Sequence, residues 1–171
     1  MDIQRFISEV NAVNWDKYEG VDYYEPEKVP ETLISLAIAD EETREGLYLM
    51  ENVNYDEVDF LANPPIKSAV MFAIGNDHSG SYYPAVREAL YFIIWVALSG
   101  NNLVAKNCAI NLLIELYSFC PENDSDKDLE KFVKKTIVDT ILENKENFMK
   151  LVVDDKRNKS LIENLLGIPE Y

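Results

Sequence analysis

The chain has one histidine, two cysteines and six glycines in 171 residues, and each shortage removes a class of chemistry. A single histidine cannot supply the paired histidines of an HExxH zinc hydrolase. Cys108 and Cys120, with no CxxC and no second pair, cannot close a structural zinc site, and both are read as buried free thiols. The glycines are scattered, with neither GxxxxGK[ST] nor GxGxxG, so the backbone cradle that nucleotide phosphates require is missing. The longest apolar run, ALYFIIWVAL from Ala89 to Leu98, is about half of the roughly 20 residues that a membrane span needs, and it reads as a buried helix. The start, MDIQRFISEV, has no basic stretch leading into an apolar core, so a secretory signal is not expected there and a cytoplasmic location is. No metal and no cofactor are expected.

Positive charge is also scarce. Sixteen Lys and Arg face 31 Asp and Glu, a formal net charge of -15. The excess is concentrated: residues 1–60 hold 16 acids and 4 bases, residues 61–121 hold 3 of each, and residues 122–171 hold 12 acids and 9 bases. A surface of this sign repels nucleic acid and anionic membranes and steers basic partners toward it. A hydrophobic content of 47% is enough for a core without disulfides or metal, so a single domain over residues 1–171 is expected.

Apolar residues recur at helical spacing and nowhere alternate as in a strand. Phe6, Ile7, Val10 and Val13 give a first amphipathic helix. The segment WDKYEGVDYYEPEKVPE, broken by Gly20, Pro26 and Pro30, reads as an ordered loop. Helices follow at about 30–39 and 41–52, and a short one is opened by Pro64 and Pro65 and closed at Gly75 and Asn76. Pro84 to Ser99, Leu103 to Phe119, 126–144, 147–153 and 155–166 complete the set. The expected class is therefore all-α, with about 7–9 helices. Asp40, Arg44 and Leu47 share a spacing with Asn102, Lys106 and Ala109 and with Asp155, Lys159 and Ile162, each set opening a second helix after an apolar one. Three stacked helical hairpins would produce this pattern.

The stretches VPETLISLAIADEETREGLYLMENV and VREALYFIIWVALSGNNLVAKNCAINLLIELYSF resemble HEAT-type helical hairpins. NDHSGSYYPAV before an apolar helix is similar to a turn in small bacterial HEAT-like proteins, some of which accompany polymorphic toxins. The resemblance spans about Trp15 to Phe119, without a regular period and without the usual proline in the first helix of each unit. It implies a short α-solenoid that works by binding.

Two stretches carry candidate site residues. In GNDHSGSYYP the triad-like set Asp77, His78, Ser79 and Ser81 lies on adjacent positions, whereas a catalytic triad is assembled from distant segments, and no GxSxG elbow surrounds it. A turn capped by Gly75, Asn76 and Gly80 is the first reading, with His78, Tyr82 and Tyr83 as partner contacts the second. Asp124, Asp126 and Asp128 open with EF-hand spacing, but Leu129 stands where glycine is needed and Lys135 where glutamate is needed. The remaining stretch, Asp16 to Glu31, combines Asp16, Glu19, Asp22, Glu25 and Glu27 with Tyr18, Tyr23 and Tyr24. Acids attract a basic surface at long range, and tyrosine gives rigid contact area. Against this stands the reading that the tyrosines fold back onto the first helices and the acids are merely solvated. The expected function is non-catalytic: an immunity or inhibitor protein that neutralises a basic protein partner such as a nuclease toxin. The alternative is a HEAT-like adaptor that binds a peptide or itself.

Overall fold

The computed structural model describes residues 1–18, 21–43, 66–76, 81–119, 127–154 and 159–168. Among these the chain forms seven α-helices: α1 (Ile3–Ala12), α2 (Lys28–Ile38), α3 (Ile66–Ile74), α4 (Val86–Ser99), α5 (Leu103–Ser118), α6 (Lys127–Asp154) and α7 (Lys159–Gly167). A single 3-10 turn, Trp15–Tyr18, follows α1. The class is all-α, as the apolar spacing dictates. One small departure is a two-residue antiparallel ladder between α3 and α4, in which β1 (Gly75–Asn76) pairs with β2 (Ser81–Tyr82).

Short polar side chains fix the starts of two helices, α1 and α5. Asp2 caps α1, its carboxylate accepting from the backbone N–H of Gln4 at 3.0 Å and Arg5 at 3.1 Å, which satisfies two of the four amides that a helix start leaves unpaired. Asn102 caps α5 by accepting from Ala105 N–H at 3.0 Å. Asp40 makes the same kind of bonds to the amides of Glu42 and Thr43, at 3.0 and 3.1 Å. Of the three equally spaced polar residues, Asn102 works as a helix cap, Asp40 closes a turn over 41–43, and Asp155 and most of the helix expected over 41–52 lie outside the described residues. Pro30 sits in the first turn of α2, where a missing amide costs nothing, so this helix starts before the proline rather than at it. The two helices expected on either side of 144–147 are both present and meet end to end within α6 at a kink, where Asn144 leaves helical geometry (φ -118, ψ 17). Its side-chain amide donates to Thr140 C=O at 3.0 Å, a side-chain insertion of the kind that kinks helices.

The helices pack as successive pairs: α2 on α3, α4 on α5 and α6 on α7. The first pair meets the second through α2 with α4 and α3 with α5, and the second meets the third through α4 with α6 and α5 with α7. Among the described residues the first and third pairs share no comparable contact, and α1 covers the open side of α2. Helix α5 touches five others, α2, α3, α4, α6 and α7. It accordingly buries residues around its whole circumference, including Val104, Ala105, Cys108, Ala109, Ile110, Leu112, Leu113 and Leu116. Its polar row, Asn107, Asn111, Glu115 and Ser118, reaches solvent fully only at Glu115 and Ser118, as expected of a helix placed in an interior.

The ladder places Gly75 so close to its partner strand that a Cβ there would lie 2.9 Å from the Ser81 carbonyl oxygen. Backbone has to move to admit it. Gly75→Ala should therefore lower stability by about 1–3 kcal/mol, whereas Gly167→Ala, with nothing within 4 Å of the new methyl, should lower it not at all. Thermal unfolding followed by circular dichroism checks both, and equal melting temperatures for the two variants would contradict the ladder.

Candidate functional site

The acidic segment between α1 and α2 is held by aromatic side chains that point inward. Trp15 is 5% exposed, and its indole N–H donates to Val10 C=O at 2.9 Å, meeting one of the carbonyls left over at the end of α1. Its ring lies 6.3 Å from that of Phe92 on α4. Tyr24 is buried beside it and donates its hydroxyl to Trp15 C=O at 3.1 Å. The Tyr24 ring stands edge-on to Tyr18 at 6.2 Å and to Tyr83 at 5.4 Å, an arrangement that aromatic quadrupoles favour. Burial, with the nearby Tyr18 and Asp16 adding to it, pushes the Tyr24 phenol up to about 12.

A second attachment is polar. Glu88, in the first turn of α4, accepts from Lys17 Nζ at 2.6 Å on one carboxylate oxygen and from Tyr18 OH at 2.7 Å on the other. Burial acts to raise the Glu88 carboxyl, but the bonds from Lys17 and Tyr18 outweigh it and hold the group below the usual glutamate value. Lys17 is raised in turn, chiefly by its bond to Glu88, and burial raises Tyr18. The segment's other cation, Lys28, pairs with Glu31 at 3.1 Å.

These contacts sort the expected site residues into two groups. Asp16, Asp22, Glu25 and Glu27 are exposed, and Tyr23 is 83% exposed in a left-handed backbone conformation, φ 64, which costs a non-glycine residue about 1–2 kcal/mol. All five are open to solvent. Tyr24, Tyr82 and Tyr83, expected as partner contacts, are instead 7%, 4% and 3% exposed and do not belong to a contact surface. Tyr82 donates its hydroxyl to Leu116 C=O at 2.7 Å and packs on Phe119 at 4.8 Å, closing the end of α5, while Tyr83 packs on Tyr24. Each of these rings fills a gap between elements. The Tyr24–Tyr83 contact also joins the acidic segment to the turn after α3. Glu19 and His78 lie outside the described residues, and Glu31 lies in α2 rather than in a loop.

Sequence reasoning missed Glu88. The signal was there: it is one of three acids in residues 61–121, standing at the start of an otherwise apolar helix, yet nothing in the spacing says which distant lysine it meets.

Among the described residues no group of three or more His, Cys, Asp or Glu side chains is placed to hold a metal ion, and no helix is long and apolar enough to cross a membrane. No protein-family model matches the chain, and comparison with curated proteins and with solved structures gives no match.

The raised Tyr24 phenol makes a prediction about pH. In the folded protein it keeps its proton to about 12, whereas the ordinary phenol loses it near 10.0. The folded state therefore binds the extra proton between these values, and its contribution is whole below pH 10 and lost as pH rises toward 12. The urea midpoint should fall between pH 9 and pH 11 in the wild type and fall less in Tyr24→Phe. A parallel decline in the two proteins would contradict the buried placement.

Proposed function

We propose that the protein is a non-catalytic binding domain that acts in the cytoplasm by neutralising a basic effector protein, such as a nuclease toxin. In this reading the helix pairs form a short HEAT-like α-solenoid, and the acidic segment is the part that covers the effector's active surface. The observation that carries it is the exposure of Asp16, Asp22, Glu25 and Glu27 together with Tyr23 on one short segment, which Trp15 and Tyr24 anchor to the core. Carboxylates give fast, steered association with a positive cleft, and a nuclease must have such a cleft because it binds phosphate. An exposed aromatic on the same short stretch as these charges suits a binding hot spot, in which an aromatic becomes desolvated on docking within a polar rim. The pairwise stacking, with α5 shared between neighbours and, among the described residues, no comparable contact between the outer pairs, supports the solenoid reading.

Capture on the immobilised protein at low salt, with elution by a salt step, tests this. A single basic protein should be released in equimolar amount, and it should be absent from the eluate of the double variant Glu25→Lys, Glu27→Lys. Tyr23→Ala should retain it about tenfold more weakly, as loss of an aromatic hot spot does. Recovery of the same protein on wild type and double variant alike would show that this surface is the wrong one.

A further inference from the structure

The acidic segment contains two cations, Lys17 and Lys28, and the structure neutralises them differently. Lys28 takes Glu31 from its own stretch. Lys17 takes a carboxylate from outside it, Glu88 of α4, 71 positions along the chain. The second arrangement leaves every acid of the segment's solvent side to face outward: among the described residues Asp16, Asp22, Glu25 and Glu27 take part in no salt bridge. The same Glu88 carboxylate accepts from Tyr18 at 2.7 Å, and Tyr18 leans on Tyr24. Both bonds reach the 3-10 turn that carries Asp16. The other hydrogen bonds, Trp15 to Val10 and Tyr24 to Trp15, tie the segment to itself and to α1, so among the described residues Glu88 supplies its side-chain hydrogen bonds to the helix pairs.

We infer that Glu88 is a positioning residue for the acidic surface, withdrawing Lys17 from it and fixing the Asp16–Tyr18 turn against α4. The inference rests on the reading of this segment as the contact surface. Its physical content has two parts. A cation beside a carboxylate presents a dipole in place of a positive charge, so it ceases to repel a basic partner at long range. A turn already held in place loses less freedom when a partner docks, and that saving appears as affinity.

The test compares Glu88→Gln with Glu115→Gln. Each removes one negative charge from a partly exposed carboxylate bonded to a lysine at 2.6 Å, but Glu115 pairs with Lys67 of α3 rather than with the segment. Two quantities are read for each: amide hydrogen exchange of residues 15–24 by mass spectrometry, and affinity for a fluorescent decalysine peptide at low salt. Glu88→Gln should speed exchange in that stretch about tenfold and weaken decalysine binding about fivefold, the upper end of what one exposed pair contributes. Glu115→Gln should change neither by more than about twofold. Tyr18→Phe, which removes one of the two bonds without altering charge, should speed exchange with a smaller loss of affinity, and it serves as well if the glutamine variant folds poorly. Equal behaviour of the two glutamine variants overturns the inference, as does weaker binding without faster exchange. If decalysine binding survives Glu88→Gln but is lost in the Glu25→Lys, Glu27→Lys double variant, the positioning role fails while the surface stands. If it survives in both, the surface itself is wrong.

Discussion

Helix α5 has almost no side for water, and the rest of the molecule is arranged to cover it. Of its sixteen residues only Glu115 and Ser118 are exposed. A buried helix satisfies its own backbone hydrogen bonds except at its ends, so its ends must be met by something polar. Asn102 meets the first end through Ala105 N–H, and Tyr82 meets the second through Leu116 C=O. The second of these explains the otherwise odd turn after α3. A two-residue ladder is a weak structure alone, but here it holds Tyr82 in line with the last turn of α5 and sets Tyr83 against Tyr24. The chain of contacts therefore runs from the central helix, through the ladder, to the acidic segment.

Much of this was legible in the sequence. The helices of the described residues follow from 3.6-residue spacing, helped at several starts by Asn, Asp or Pro, and the break expected near 144–147 is a kink at Asn144 where two helical arms meet. The ladder was not legible, because two-residue strands carry no alternation to read. Which face each tyrosine takes was not legible either. Tyr23 and Tyr24 are adjacent, chemically identical and equally surrounded by acids, yet one is 83% exposed and the other 7%. Their difference is set by the left-handed backbone at Tyr23, which turns the following ring inward, and by Trp15 C=O and the Tyr83 ring waiting for it. Glu88 was hidden for a related reason: its partners come from 70 and 71 positions away, and local patterning contains no information about them.

The composition of the acidic segment poses a physical problem that its structure answers. Like charges placed this close repel one another, and a polar loop with no anchor would spread to separate them. Holding Asp16, Asp22, Glu25 and Glu27 on one short stretch therefore requires an apolar contribution larger than that repulsion. Trp15 and Tyr24 supply it, each by burial of a large ring with its polar atom bonded to a backbone carbonyl. Tyrosine and acid occur together here because they do opposite jobs: the inward rings allow the outward charges. From composition alone the two jobs look like one, a recognition surface made of both residue types. With Trp15 and Tyr24 in the core, the exposed side of the segment includes, among the described residues, the carboxylates of Asp16, Asp22, Glu25 and Glu27 and one aromatic ring, that of Tyr23. A surface of that kind gains specificity from geometry more than from charge, since carboxylates alone would attract any basic protein. Under the proposed function, the attachment of the segment through Trp15, Tyr24 and Glu88 is what would separate a specific inhibitor from a generally sticky acidic chain.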